Sequence, residues 1–254
     1  MKEEGLSHLT KRARNRVERY RDMLKKIAGK NLVSLILYGN ATLPHFDPTT
    51  GKLNFLIVLK EIDVDFLRNY ARMMKRFRNT SSPLLLTPDM IKSSLDIFPI
   101  EFLSLKDSYI VIYGKDFLEG IDIRFEDLRY EIEQQIKRRL FNLQKEFLFS
   151  MERKADLEQL LTTSLISFVP LFKNILRLIN IECPLEGTMF REFCDELHLK
   201  PEPFFAIWSI KTGRGRFTKE ALIKLFGEFL KEIETLASSL DRVTPVNTCR
   251  HGKT

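Results

Sequence analysis

The sequence has few of the features that would place it outside the ordinary globular class. Among its 254 residues are three Cys without disulfide or metal-ligand spacing, which excludes a disulfide framework and favours a reducing compartment. No apolar run reaches the roughly 18 residues that a membrane helix needs, and the first residues are charged rather than apolar. Internal repeats and low-complexity segments are also absent. We therefore expect a cytoplasmic protein with no membrane partner.

What the sequence does contain is apolar residues and positive charge. Hydrophobic residues make up 44% of the chain and Phe alone occurs 20 times, so a folded protein is expected. The net charge is +7, and the basic residues cluster in "KRARNRVERYRDMLKK" and "QIKRRLF". Such clusters attract the phosphates of nucleotides, nucleic acid or anionic lipid, but they are also typical of solvated helix faces. A nucleic-acid partner is therefore not excluded.

The first half of the chain mixes strand and helix patterns. A basic segment over residues 5–29 has helical periodicity, and Asp63–Arg78 has a second helical pattern. Short buried strands are predicted at "NLVSLILYG", "KLNFLIVLK" and "PLLLT", with a short helix after Thr87. The segment "FPIEFLSLKDSYIVIYG" predicts one or two further strands. This half is expected to form an α/β domain over residues 1–121.

The second half has almost no strand pattern. Helices are predicted from about Leu128 to Phe147, from Ala155 to Ile179, and in three shorter segments that end near Leu240. Pro170 lies inside the second of these helices, so a kink or break is expected there. An all-α helical-bundle domain is thus predicted over residues 122–240, followed by a disordered tail over residues 241–254.

One stretch has the form of a site for phosphoryl or nucleotidyl transfer: "LYGNATLPHFDPTTGKLNFLIVL", over residues 37–59. Metal-dependent transfer needs clustered carboxylates to hold two Mg²⁺ ions. Two acids at i and i+2 of a strand point to the same face, and a third acid on a neighbouring strand completes the set. A Gly-Ser turn after the first strand lets donors approach the triphosphate closely.

This stretch resembles the nucleotidyltransferase superfamily, specifically its small bacterial branch related to aminoglycoside and minimal nucleotidyltransferases. The family pattern is an apolar strand, Gly-Ser, and an acid-x-acid pair at the head of the next strand, and it aligns here without a gap. Gly39 takes the glycine position, and Asn40 stands where the serine would be. The resemblance implies an α+β fold, a nucleotidyltransferase-like mixed twisted sheet with flanking helices, and then the all-α domain.

The differences from the family pattern concern the metal ligands. Lys52 and Asn54 stand where the two acids would be, so a cation and a neutral amide replace two carboxylates. At ~4 Å and an effective dielectric near ~20, each unit of charge is worth roughly 4 kcal/mol. The third acid of the family lies in an apolar-Glu-apolar strand, and Glu101 in "FPIEFLSL" is the candidate for it. Asp47, in the intervening loop, is a second candidate acid.

Three hypotheses follow from these residues. In the first, the protein is a catalytically degenerate nucleotidyltransferase that binds nucleotide or phosphate through Gly39, Asn40, Lys52 and Asn54, with no metal or cofactor. In the second, it is an active enzyme that uses Asp47 and Glu101 as unusual Mg²⁺ ligands and transfers NMP from an NTP to an acceptor. In the third, it is a structural or interaction protein, such as a homodimer or one member of a toxin–antitoxin-like pair.

Overall fold

The computed structural model describes residues 6–7, 9–43, 46–47, 51–77, 80, 82–181 and 186–240, with side chains omitted at 186–189. The chain divides into two compact units, Met1–Ile123 and Arg124–Thr254, at a point two residues beyond the predicted boundary. The predicted tail over residues 241–254 lies outside the described residues.

The first unit is built on a mixed four-stranded sheet. Its strands are β1 (Leu32–Tyr38), β2 (Asn54–Leu59), β3 (Leu84–Leu86) and β4 (Tyr109–Gly114), in the spatial order β3-β2-β1-β4. Strand β1 is antiparallel to both β2 and β4, whereas β2 and β3 are parallel. The described helices of this unit are α1 (Lys11–Ala28), α2 (Val64–Met74), α3 (Pro88–Ser94) and α4 (Pro99–Asp107).

Both faces of the sheet are covered, which explains why its strands are continuous apolar runs rather than alternating ones. One face packs with α1 and α2, and its sheet residues include Leu35, Leu37, Phe55, Ile57 and Leu59. The opposite face packs with α3 and α4, and its sheet residues include Ile36, Leu56 and Val58. Asn54 lies at the start of β2 on this second face, two residues before Leu56.

Helix α4 corrects one sequence prediction. The segment Pro99–Asp107 is a helix, not a strand, and only Tyr109–Gly114 of the predicted segment is extended. Pro99 occupies the first turn of α4, where its fixed φ favours a helix start and its missing N–H is not needed. Ile100, Phe102 and Leu105 still reach the core, so the apolar pattern was compatible with either structure.

The second unit is helical throughout its described residues. Its helices are α5 (Phe125–Ser150), α6 (Lys154–Leu178), α7 (Glu186–Glu196), α8 (Glu202–Lys211) and α9 (Lys219–Ser239). Six phenylalanine rings form the centre of this unit, each no more than 1% exposed: Phe168, Phe172, Phe190, Phe193, Phe204 and Phe229. Together the two units confirm the predicted fold class, an α+β unit with a mixed sheet followed by an all-helical unit.

Helix α6 differs from prediction in two respects. It continues through Pro170, so the helix is not broken there. By length and composition it is also, among the described helices, the one apolar enough to cross a membrane, with a mean hydropathy of 1.2. Half of the apolar window is buried inside the protein, and its buried residues include Phe168 and Phe172 of the aromatic centre. Core packing therefore accounts for the apolar character of α6.

Candidate functional site

Strand β1 ends in a tight 3₁₀ turn, Gly39–Thr42, which begins at a residue with positive φ. Gly39 has φ +72°, a conformation that a residue with a Cβ adopts only with strain. Its N–H donates to the Ser108 carbonyl at 2.9 Å, and its carbonyl accepts from the Thr42 hydroxyl at 2.7 Å. The Thr42 and Ser108 hydroxyls are also hydrogen-bonded to each other. The turn is therefore fixed to the junction of α4 and β4.

Asn54 lies beside this turn. It is the first residue of β2 and pairs with Tyr38, the last residue of β1. A Cβ placed on Gly39 would lie 3.4 Å from the Asn54 side-chain nitrogen, so the amide packs directly against the glycine. The structure thus brings together Gly39 and Asn54, two of the four residues predicted to bind nucleotide.

The other two predicted nucleotide-binding residues, Asn40 and Lys52, are exposed. Asn40 follows Gly39 in the 3₁₀ turn, and Lys52 precedes the buried Leu53, which forms a parallel bridge with Thr80. Within the described residues, Lys52 forms no ion pair, and in particular none with Glu101. Its ammonium group is therefore available to an anion.

Of the two candidate acids, Asp47 lies in the loop where it was predicted, whereas Glu101 lies on a helix instead of a strand. Glu101 is exposed in the first turn of α4, so its expected position on a strand is wrong. Asp47 is exposed in the loop before β2, where its carbonyl accepts the Gly51 N–H at 2.8 Å. Much of this loop, at residues 44–45 and 48–50, lies outside the described residues. A catalytic role for either acid stays a prediction.

The four described strands carry no carboxylate at all. Their sequences are LVSLILY, NFLIVL, LLL and YIVIYG. The neighbours of β2 are β1 and β3, so the strands next to Asn54 offer no third acid. In the described part of the chain, no cluster of three or more His, Cys, Asp or Glu could hold a metal ion. The side chains gathered at Gly39 do not fit a two-Mg²⁺ centre.

Two tyrosines that the sequence did not indicate lie on the same face as Asn54. Tyr38 pairs with Asn54 on one side and with Tyr109 of β4 on the other. The Tyr109 hydroxyl donates to an Asp116 carboxylate oxygen at 3.0 Å, and burial together with this carboxylate raises the pKa of Tyr109 to about 12. Burial also raises the pKa of Tyr38. Both hydroxyls stay neutral at physiological pH.

Asp116 is an acid that is hydrogen-bonded to this row of side chains. Its second oxygen accepts the N–H groups of Leu118 and Glu119, at 2.8 and 3.1 Å. The carboxylate therefore orders the turn after β4. Thr42 and Ser108 were also missed by sequence reasoning, because their pairing depends on the β1–β4 register, which no local pattern reveals.

A groove lined by described residues lies elsewhere, between α1 and β4. Its volume is about 610 Å³, and none of the predicted nucleotide-binding residues lines it. Arg14, Arg21 and Lys25 contribute positive charge, but Glu18 and Asp22 lie on the same wall, and Asp22 is paired with Arg21 at 2.9 Å. The groove therefore offers a nearly balanced charge rather than a phosphate site.

No protein-family model and no curated protein sequence matches the chain. Among solved structures, the chain is similar to spectinomycin adenyltransferase AAD(9) from Enterococcus faecialis, crystallised with ATP and spectinomycin. The TM-score is 0.51 at 14% identity, and the match covers 87% of this chain and 99% of the other. The protein therefore has a nucleotidyltransferase-like fold. At this identity the likeness establishes the fold, not the activity.

Proposed function

We propose that the protein is a nucleotidyltransferase-like binding protein that holds a nucleotide or another phosphate ligand at the Gly39–Asn54 site without two-metal catalysis. The observation that carries the proposal is the absence of carboxylates from the described strands, at a glycine turn that is otherwise intact. In two-metal enzymes, carboxylates hold the cations that neutralise the triphosphate. Here Lys52 supplies positive charge directly.

The polar groups at the site suit this role. Asn40 and Asn54 offer amide donors to phosphate oxygens, and Lys52 is exposed with no acidic partner in the described residues. The similar adenyltransferase was crystallised with ATP, which supports a nucleotide as the ligand class. A Lys ammonium binds phosphate as a point charge, so binding is expected to be independent of Mg²⁺.

Isothermal titration with ATP, GTP, CTP and UTP, each with Mg²⁺ and with EDTA, tests the proposal. We expect binding that survives EDTA and weakens by about tenfold to a hundredfold in Lys52→Ala, since a charge-assisted contact is worth roughly 1.5–3 kcal/mol. Lys60→Ala is the matched control, because Lys60 is equally an exposed lysine but follows the other end of β2. No heat with any nucleotide would overturn the proposal.

A reconstruction tests the strand register independently. Lys52→Asp with Asn54→Asp places two carboxylates at the head of β2 and should create measurable Mg²⁺ affinity. Lys60→Asp with Asn15→Asp makes the same charge change at exposed positions away from the site. Equal Mg²⁺ affinity in the two double variants would mean that the family pattern is misaligned on β2.

The enzymatic alternative is decided by transfer of label from α-³²P NTPs to lysate acceptors. The proposal expects no transfer by the wild-type chain. Transfer that disappears in Asp47→Ala or Glu101→Ala would replace the binding function with catalysis through non-standard Mg²⁺ ligands.

A further inference from the structure

The helical unit exposes three large apolar side chains where α5 ends and turns toward α6. Leu148, Phe149 and Met151 are 71%, 79% and 41% exposed, and we call these three residues the apolar corner. The adjacent Phe147 faces inward and stacks on Phe226 with ring centroids 3.8 Å apart. The core is thus already filled at this level of the helix. Exposed apolar residues that are neighbours in a folded protein commonly mark a contact surface.

A basic loop is held against this corner. The Lys219 ammonium, at the start of α9, donates to the Glu152 carbonyl at 3.1 Å, directly after Met151. The loop that precedes Lys219 is fixed, because the N–H groups of Arg214 and Gly215 both donate to the Ser209 carbonyl at 2.9 Å. Lys219 therefore contacts the segment that follows Met151, and Arg214 and Arg216 precede Lys219 on a hydrogen-bonded loop.

The two segments that meet at the Lys219–Glu152 contact carry an excess of positive charge, although Glu146 and Asp156 line a groove with Phe149. The segments 145–156 and 211–220 contain seven basic and four acidic residues. The basic residues are Lys145, Arg153, Lys154, Lys211, Arg214, Arg216 and Lys219, and the acidic ones are Glu146, Glu152, Asp156 and Glu220. Lys154 is paired with Glu158, at 3.4 Å. Lys211, Arg214 and Arg216 are exposed and have no ion pair within the described part of the chain.

We propose that the apolar corner docks the protein onto an anionic membrane surface, in contrast to the expectation of no membrane partner drawn from the lack of a long apolar run. Leu148, Phe149 and Met151 would enter the boundary between headgroups and acyl chains, while the cations of the basic loop contact the acidic headgroups. Apolar insertion and electrostatic attraction together give reversible surface binding, and each is weak alone. This inference does not depend on the proposed nucleotide site, which lies in the other unit.

The chemistry of the corner favours lipid over nucleic acid. Leu148 and Met151 are aliphatic, so Phe149 is the one ring that the corner offers for base stacking, whereas single-stranded nucleic acid stacks successive bases on several rings. Their neighbours on the loop are positively charged, so the combined surface matches an apolar interior bounded by negative headgroups. A second copy of the chain would bring the same positive loop toward itself.

Vesicle flotation of the full chain tests the proposal. The vesicles are phosphatidylcholine alone, or phosphatidylcholine with roughly 30% phosphatidylserine, an anionic lipid of cytoplasmic leaflets. We expect binding to the anionic vesicles that weakens when NaCl is raised from about 0.1 M to about 0.5 M, because salt screens surface charge. Weak or no binding is expected on neutral vesicles.

Two sets of variants address the two contributions. Leu148→Ser with Phe149→Ser removes the inserting side chains, and Arg214→Gln with Arg216→Gln removes two headgroup contacts. Each pair should reduce partitioning about tenfold or more. Tyr130→Ser is the apolar control, since Tyr130 is 66% exposed on α5 about 27 Å along the helix from Leu148. Lys11→Gln with Arg12→Gln, at exposed positions on α1, is the charge control.

Four results would overturn the proposal of membrane docking. Absence of flotation with anionic vesicles overturns the proposal, as does flotation that the corner and loop variants leave unchanged. A wild-type dimer that Phe149→Ser converts to monomer would assign the corner to self-association instead. Retention of RNA by the wild type that the loop variant abolishes, without vesicle binding, would assign it to nucleic acid. Nucleotide titration of the corner variants is expected to match that of the wild type.

Discussion

The two units bury their apolar residues in different ways, and this difference determines where their polar side chains lie. In the α/β unit, the strands have two apolar faces, and apart from Ser34 inside β1 the polar residues of the site lie at strand ends and turns. Gly39, Thr42, Asn54 and Ser108 all lie at such positions. In the helical unit, a cluster of phenylalanine rings fills the centre. Its buried carboxylate Glu232 accepts the Lys200 N–H at 3.0 Å, which is a structural bond.

The comparison shows that polar side chains meet in the α/β unit at a turn, and that in the helical unit the centre is filled by rings. Asn54 occupies a strand head whose surroundings are apolar or hydroxylic, and it packs against Gly39, which has positive φ. Stability in this unit depends on the sheet and on buried tyrosines. Stability in the helical unit depends on ring packing. The following predictions separate these two sources.

The largest effect is expected for Phe172→Ala in the helical unit. Phe172 is fully buried and its ring contacts four others, with the Phe193 centroid at 4.2 Å. Removal of such a ring costs about 3–5 kcal/mol through lost burial and a cavity. Urea unfolding followed by circular dichroism measures the loss. Phe149→Ala, at a 79% exposed position, is the control and should change stability by about 0.5 kcal/mol or less.

The next largest effect is expected at alkaline pH, where the buried tyrosines of the α/β unit should make the folded state less stable. Burial raises the pKa of Tyr70 from 10 to about 12, and that of Tyr20 rises in the same direction. Below pH 10 both the folded and unfolded states hold the proton. Between pH 10 and about 12 the unfolded state loses it first, so stability falls as pH rises. At about 1.4 kcal/mol per pKa unit, the loss attributable to Tyr70 is on the order of 3 kcal/mol.

Urea titrations at successive pH values measure this decline, and Tyr70→Phe should flatten it above pH 10. In the helical unit, burial raises the pKa of the Cys194 thiol from 9 to about 12, so Cys194→Ala should flatten the decline from pH 9. If Tyr70→Phe and Cys194→Ala leave the slope unchanged, these two buried groups are not the source of the alkaline sensitivity.

The sequence predicted most of the frame of the protein. The positions of β1 and β2 could be predicted because continuous apolar runs end at Gly39 and begin again near Asn54. The helix caps at Thr87 and Thr218 could be predicted, because a hydroxyl directly before a helical pattern can accept an N–H of the first helical turn. Glu101 was misplaced because Ile100, Phe102 and Leu105 suit a strand or a helix equally, and Pro99 decided the outcome.

The parts of the site that could not be predicted depend on contacts between distant segments. The Thr42–Ser108 hydroxyl pair joins residues 66 positions apart, and Tyr109 meets Tyr38 only through the β1–β4 pairing. This pairing also contains a bulge, where the register shifts between Leu35 and Ile36. The extra residue of a bulge cannot be predicted from the apolar pattern. Periodicity identifies faces of elements, but it does not identify which faces meet.

A smaller effect is expected for the hydroxyl pair under the sheet. Tyr20 and Tyr70 are hydrogen-bonded to each other, and both are at most 5% exposed. Tyr20→Phe should cost about 1–3 kcal/mol, because the Tyr70 hydroxyl is left buried without its partner. The Tyr20→Phe, Tyr70→Phe double variant should cost less than the sum of the two single changes. Additive losses in urea unfolding would show that the hydroxyls are not energetically coupled.

The smallest effect compares the two units at equivalent positions. Thr87 caps α3 by accepting the Met90 N–H at 3.2 Å, and Thr218 caps α9 by accepting the Ala221 N–H at the same distance. Alanine at either position should cost about 1 kcal/mol in global stability. The local consequence should differ, because α3 has 7 residues with Ile91 buried, whereas α9 has 21 residues and a long buried face.

Amide hydrogen exchange measures this difference in local stability between α3 and α9. In Thr87→Ala the whole of α3 should exchange faster, since one buried side chain cannot hold a short helix whose first turn has opened. In Thr218→Ala the faster exchange should stop after the first turn of α9, because Leu222, Leu225 and Phe226 remain packed in the core. The serine variants, which retain the accepting oxygen, should restore protection in both helices. Equal spread of fast exchange along α3 and α9 would contradict the view that ring packing, rather than capping, holds the helical unit.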